Sequence, residues 1–168
     1  MTDEGIGSNE LFLSDDKIFY TIEGEGEFVG MPSVFMRLSM CNLTCKGFAS
    51  ADSPHGCDSF VSWSIKNKMS FESIIKMLED DGYKDHLYNG AILKITGGEP
   101  LIQQNKLLRF IDYLFLQWGW VPRIILKLML LSNLARNGEQ VISKLRLLLL
   151  LSYLLMEILS VRGIFLKY

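Results

Sequence analysis

Three thiols fall in one short stretch of this chain: Cys41-Asn42-Leu43-Thr44-Cys45, then eleven residues, then Cys57-Asp58-Ser59. The count is odd, and the leading residues, Met1 to Glu10, are polar and acidic rather than laid out as a basic-then-apolar export leader. That argues against a disulfide framework and for a reducing, cytoplasmic setting in which thiolates hold a metal. Three cysteines from one loop suit an iron–sulfur cluster that keeps one iron open to a small chelating ligand. Cys41, Cys45, His55 and Cys57 equally suit a structural zinc site with three sulfur ligands and one nitrogen, in a binding module. Spacing alone leaves both open, together with chance burial of three unrelated thiols.

A second group follows the apolar run Ala91 to Ile95: Thr96-Gly97-Gly98-Glu99-Pro100. Glycines at a strand end let a ligand approach the backbone closely. The proline favours an extended residue before it and can open a helix. A third group joins the acidic loop Glu23-Gly24-Glu25-Gly26-Glu27 to Arg37. A guanidinium fork grips a carboxylate, and a carboxylate accepts from ring N–H donors. Taken without any wider pattern, these are a strand charge and a solvated acidic loop.

The elements that must position these groups alternate between strand and helix. Phe19 to Ile22 is short and apolar, and Gly24, Gly26 and Gly30 then break regular structure. Ser33 to Leu38 is dense enough in apolar side chains to be a strand buried on both faces. Ser70 can cap a helix in which Phe71, Ile74, Ile75 and Leu78 fall at helical spacing. Ala91 to Ile95 is the next strand. After Pro100, a stripe of Leu107, Leu108, Ile111, Leu114, Phe115 and Trp118 marks a second amphipathic helix. The order predicts an α/β fold with parallel strands joined by right-handed crossovers, and functional groups at the strands' carboxyl ends.

The cysteine loop after the first core strand and the Gly-Gly-Glu-Pro turn after the second together resemble the radical S-adenosylmethionine (SAM) superfamily. The segment Thr21-Ile22-Glu23-Gly24-Glu25-Gly26-Glu27-Phe28-Val29-Gly30, followed by Ser33 to Leu38, resembles the opening of its 7-carboxy-7-deazaguanine synthases. The resemblance runs from about Ile18 to Arg123, roughly two thirds of the chain. It implies a partial, incomplete β/α barrel in which Cys41, Cys45 and Cys57 hold a 4Fe-4S cluster. It implies that Thr96, Gly97, Gly98, Glu99 and Pro100 contact S-adenosylmethionine, and that Ser59 holds Mg²⁺ where the family has threonine. Glu23, Gly24, Glu25 and Arg37 are carried over as substrate contacts. The implied activity is that of a carbon–nitrogen lyase of deazapurine and queuosine-type precursor biosynthesis, converting 6-carboxy-5,6,7,8-tetrahydropterin to 7-carboxy-7-deazaguanine with loss of ammonia. An electron donor such as flavodoxin is implied too, and homodimerisation is left open. The chain departs from the family in three further ways. The second cysteine gap is eleven residues rather than two, Gly56 replaces an aromatic before the last cysteine, and Glu23 stands where glutamine is usual.

Composition divides the chain. Residues 1–123 hold 11 Lys/Arg and 17 Asp/Glu, a net of −6, whereas residues 124–168 hold 6 and 2, a net of +4. The overall net of −2 and pI of 5.7 give no footprint for nucleic acid. Leucine supplies 15 of the last 45 residues. Leu147 to Val161 is apolar but contains Ser152 and Glu157 and falls short of the roughly 20 residues a membrane span needs. The sequence therefore reads as a radical SAM part over 1–123 and a leucine-rich aberrant tail over 124–168. The tail can be a helix for a partner or a frameshifted translation. The family's third strand reads close to Arg-Ile-Asp-Phe-Glu-Thr-Asn. In ordinary codons, deleting the first G after the Ile124 codon shifts the downstream frame to give Ile125 to Asn133 as they stand here. On that reading the chain is expected to be inactive through truncation.

Overall fold

The longest strand contains the least strand-like stretch of the amino-terminal half. In a computed structural model, which describes residues 8–43, 56–57 and 59–127, β1 runs Glu10–Ile22 across the charged triplet Asp15-Asp16-Lys17. Leu13 pairs with Leu38 and Ile18 with Met36, five steps along β1 against two along β2 (Pro32–Leu38). The surplus is absorbed in an irregularity in which Lys17 turns left-handed, at φ 38°. Because a register slip by one would reverse every side chain, this bulge lets Leu11, Leu13 and Ile18 all stay buried. The sequence showed only the last part of this strand, Phe19 to Ile22.

Five strands form one sheet in the order β3-β1-β2-β4-β5. β3 (Asn67–Ser70) pairs antiparallel with the start of β1, and β1 pairs antiparallel with β2. β4 (Ile92–Gly97) is parallel to β2, and β5 (Ile124–Leu126) is parallel to β4. The crossovers carry the helices. A single turn, α1 (Phe60–Ser64), precedes β3, and α2 (Phe71–Asp80) and α3 (Tyr83–Tyr88) lead to β4. Then α4 (Gln104–Trp118) leads to β5. The sheet thus extends three residues past the change in composition at Arg123, and the unit holding all described residues ends at Lys127.

Both amphipathic helices form where their spacing puts them, but the α4 stripe is rotated: Phe110 is buried, Phe115 is 50% exposed, and Leu108 and Trp118 are half-buried. Ser70 Oγ accepts the Ser73 N–H at 3.1 Å, capping α2. Phe71, Ile74, Ile75 and Leu78 of α2 and Leu107, Phe110, Ile111 and Leu114 of α4 are buried. Val34, Met36 and Leu38 of β2 and Leu93 and Ile95 of β4 are buried too, and Phe71 and Phe110 pack edge to face at 5.4 Å. Each such side chain contributes about 1.5–3 kcal/mol by leaving water.

Paired residues of adjacent strands share a face, and successive residues alternate. The sheet's other face therefore carries Phe19, Phe35, Arg37, Lys94 and Thr96. Phe19 and Phe35 stack there at 5.2 Å, and Arg37 lies opposite Thr96. None of the described helices is long and apolar enough to cross a membrane.

Candidate functional site

The chain leaves β2 at Leu38 and reaches Cys41 three residues later. Between them Ser39 N–H donates to the Phe12 carbonyl at 2.9 Å and Met40 N–H to the Trp63 carbonyl at 3.0 Å. Met40 is held at φ 72°, a left-handed conformation that costs a non-glycine residue about 1–3 kcal/mol. Its carbonyl is fixed as well, accepting the Glu99 N–H at 3.0 Å. The residue before Cys41 is thus pinned from two sides, as expected where surrounding contacts must hold a strained backbone.

One of those contacts comes from the Gly-Gly-Glu-Pro turn, which packs closely on the same segment. Gly98 N–H donates to the Leu38 carbonyl at 3.0 Å, and a Cβ on Gly98 would lie 2.0 Å from the Met40 oxygen and 3.1 Å from Cys41 Cβ. Gly97, at φ 117°, is as tight: a Cβ there would lie 1.9 Å from the Leu38 oxygen. Two motifs more than fifty residues apart are therefore packed backbone against backbone. The glycines are needed to admit the main chain at the end of β2, where the sequence alone suggests room for a ligand. Thr96 is half-buried at the end of β4, and Pro100 is buried. Glu99 is 2% exposed, and its Oε1 caps the turn Pro100–Gln103 by accepting the Leu101 N–H at 3.1 Å.

Gln103, which no sequence pattern singles out, closes the same corner. Its buried amide accepts the Phe12 N–H at 2.8 Å and donates to the Phe12 and Ser39 carbonyls at 2.9 and 3.2 Å. It acts as a strand partner for Phe12 and ties β1 to the root of the cysteine segment.

Cys57 stands just before α1, and Ser59 immediately precedes that helix. Trp63, in α1, links the two ends of the segment. Its carbonyl accepts from Met40, and its indole N–H donates to Cys57 Sγ at 3.4 Å. N–H donors to sulfur suit a thiolate ligand. Cys41 and Cys57 are both half-buried and neither is in a disulfide. Cys45 and His55 lie outside the described residues, and among the described residues no group of three His, Cys, Asp or Glu side chains comes together. The two described thiols, one beside the glycine turn and one receiving an N–H, are a donor set that fits iron–sulfur ligation.

The acidic loop is anchored by two lysines. Glu23 is 2% exposed, and its Oε2 accepts from Lys94 Nζ at 2.5 Å while its Oε1 accepts the Glu25 N–H at 3.2 Å. The loop closes on itself through Glu23 N–H to Met31 O and Gly30 N–H to Glu23 O, both 2.8 Å. Glu25 and Gly24 are exposed. The Glu25 carboxylate is ion-paired with Lys127, whose hydrogen bond holds its pKa below the usual carboxylate value, with Lys94 adding a smaller pull. Lys94 explains a departure seen in the sequence: a carboxylate at position 23, in place of glutamine, has a counter-ion here. A charged residue amid Ile92, Leu93 and Ile95 was the signal that could have pointed to it.

No family model matches the chain. It is 33% identical over 98 residues to the 7-carboxy-7-deazaguanine synthase of Koribacter versatilis, covering 58% of this chain and 37% of the relative. It is 35% identical over 101 residues to that of Halobacterium salinarum, covering 59% and 34%. The chain thus spans little more than a third of the length of these two relatives. Among solved structures, QueE from Escherichia coli superposes with a TM-score of 0.52 at 23% identity, over 73% of this chain and 54% of that one. Parallel β2, β4 and β5 behind an antiparallel hairpin thus form an α/β fold shared with part of that QueE structure. Over part of its length, the chain is similar to the 7-carboxy-7-deazaguanine synthases.

Proposed function

We propose that the site is that of a radical SAM carbon–nitrogen lyase that takes 6-carboxy-5,6,7,8-tetrahydropterin to 7-carboxy-7-deazaguanine. The observation that carries this reading is the packing of Gly98 against Met40 and Cys41, which puts the Gly-Gly-Glu-Pro turn beside a thiol ligand. Cys41, Cys45 and Cys57 would hold a 4Fe-4S cluster, with Thr96 to Pro100 lining the place of S-adenosylmethionine. Bound there, these two groups would supply the radical that starts the conversion.

The chain's own residues bind and orient. Arg37 offers a fork to the pterin carboxylate from the sheet face it shares with Thr96. Glu25 accepts from the ring's N–H donors, and Glu23 and Gly24 shape the loop that presents it. The Ser59 hydroxyl would be a ligand for Mg²⁺. Phe19 and Phe35 keep the same face apolar beside these charges. A flavodoxin-like donor would supply electrons, and residues 124–168, of which Ile124–Leu126 form β5, are read as a leucine-rich aberrant tail. Neither the sequence relatives nor the structural neighbour supports the zinc-module alternative.

The test is anaerobic turnover with S-adenosylmethionine, a reductant and the tetrahydropterin, with mass detection of the deazaguanine. It is run on this chain and on one whose reading frame is restored by a nucleotide inserted after the Ile124 codon. Product from the restored chain supports the reading, and its absence despite a loaded cluster removes it. Equal rates from both would show that the tail is a working part.

A further inference from the structure

A lysine in the middle of a buried strand is costly unless paired. Lys94 is 6% exposed between Leu93 and Ile95, and its ammonium meets the Glu23 carboxylate with side chains 8% and 3% exposed. Glutamine at position 23 would need no counter-ion, so this chain keeps two buried charges where a neutral amide would serve. Buried ion pairs are poor sources of stability against neutral replacements, which directs attention to what the pair holds in place.

Glu23 is the middle of a short relay. One carboxylate oxygen takes Lys94, and the other takes the backbone N–H of Glu25. The main chain of Glu23 is locked at the same time by Met31 and Gly30. Glu25 is therefore an exposed carboxylate on a backbone fixed from beneath. A carboxylate has about four lone-pair sites, so its pairing with Lys127 leaves room for N–H donors of a ligand.

We infer that Lys94 is a positioning residue: through Glu23 it fixes the backbone of Glu25 and so the direction from which that carboxylate meets a planar heterocycle's N–H edge. This rests on the reading of Glu25 as a substrate contact. Removing Lys94 alone leaves Glu23 charged, buried and free to turn away from the Glu25 N–H. Removing the charge from both partners restores an acceptor at position 23 that needs no counter-ion.

The experiment uses the full chain and 6-carboxypterin, whose fluorescence reports binding. Lys94→Met is expected to weaken binding by about tenfold or more, and Glu23→Gln/Lys94→Met to return it close to the parent. Leu114→Ala, in the helix core, is expected to lower the melting temperature and leave probe affinity unchanged. Parent-like affinity in Lys94→Met overturns the inference while leaving the proposed function standing. A double variant as weak as Lys94→Met also overturns it, since Lys94 would then touch the ligand itself. Equal weakening by Leu114→Ala does so too, because affinity would then report only stability. Failure of both the folded parent and the restored-frame chain to bind the probe removes the proposed function, and the inference with it.

Discussion

Replacing Gly97 by alanine should unfold much of what the cysteine segment stands on, before any ligand is considered. Gly97 sits at φ 117°, a region that side chains other than glycine enter at a cost of about 1–3 kcal/mol. The added methyl would also lie 1.9 Å from the Leu38 oxygen and 2.5 Å from the Leu38 nitrogen, both main chain at the end of β2. Relieving that overlap means parting β4 from β2 where Gly98 N–H bonds Leu38, a further cost of about 1–3 kcal/mol. The sum, roughly 2–6 kcal/mol, is a large fraction of the about 5–15 kcal/mol that keeps a domain folded. Urea unfolding of the iron-free chain, followed by far-ultraviolet circular dichroism, measures it from the shift in midpoint. Gly24→Ala is the control, because nothing lies within 4 Å of its Cβ position, and it should stay within about 0.5 kcal/mol of the parent. If Gly97→Ala matched that control and lost only affinity for S-adenosylmethionine, the glycine would be making room for a ligand rather than for β2.

Other outcomes rest on single contacts. Gln103→Ala removes three hydrogen bonds and should cost about 2–4 kcal/mol in the same unfolding assay. The Glu25 carboxyl titrates below its usual range, so the stability it contributes is full at neutral pH, begins to fall as pH drops below the ordinary carboxylate pKa and is gone once pH has passed through the lowered folded value. The pair is largely exposed, so the effect should stay below about 1 kcal/mol, shrink in high salt and vanish in Lys127→Ala, all readable from melting temperature against pH. Arg37→Ala should weaken 6-carboxypterin binding while leaving S-adenosylmethionine cleavage intact in the reconstituted enzyme. Equal loss of both would make Arg37 structural.

What could be read from the sequence was whatever repeats at a fixed period or sits in a motif. Ser70, the apolar stripes of α2 and α4, and the parallel pairing of the strands around them were legible in that way. The first part of β1 was not, because Asp15, Asp16 and Lys17 break the alternation and only a bulge restores it. β3 and α1 are too short to carry a period. In the site, the motifs pointed to Cys41 and to Gly97–Pro100, but not to the reason they touch. That reason lies in the close approach of two main chains, which leaves only glycines as its trace. Gln103 and Lys94 act through partners 91 and 71 residues away, separations that no local pattern reveals. Glu23 reads in sequence as a ligand contact, and the structure finds its carboxylate shared between Lys94 and a backbone N–H.

Iron and zinc counted per chain after anaerobic reconstitution, in the parent and in Cys41→Ala, Cys45→Ala and Cys57→Ala, bear most directly on the proposed chemistry. The parent should turn brown and hold about four irons with matching sulfide, and each single variant should lose most of them. A colourless parent that retains zinc, or undiminished iron in any one variant, would contradict the assignment of these three cysteines to an iron–sulfur cluster.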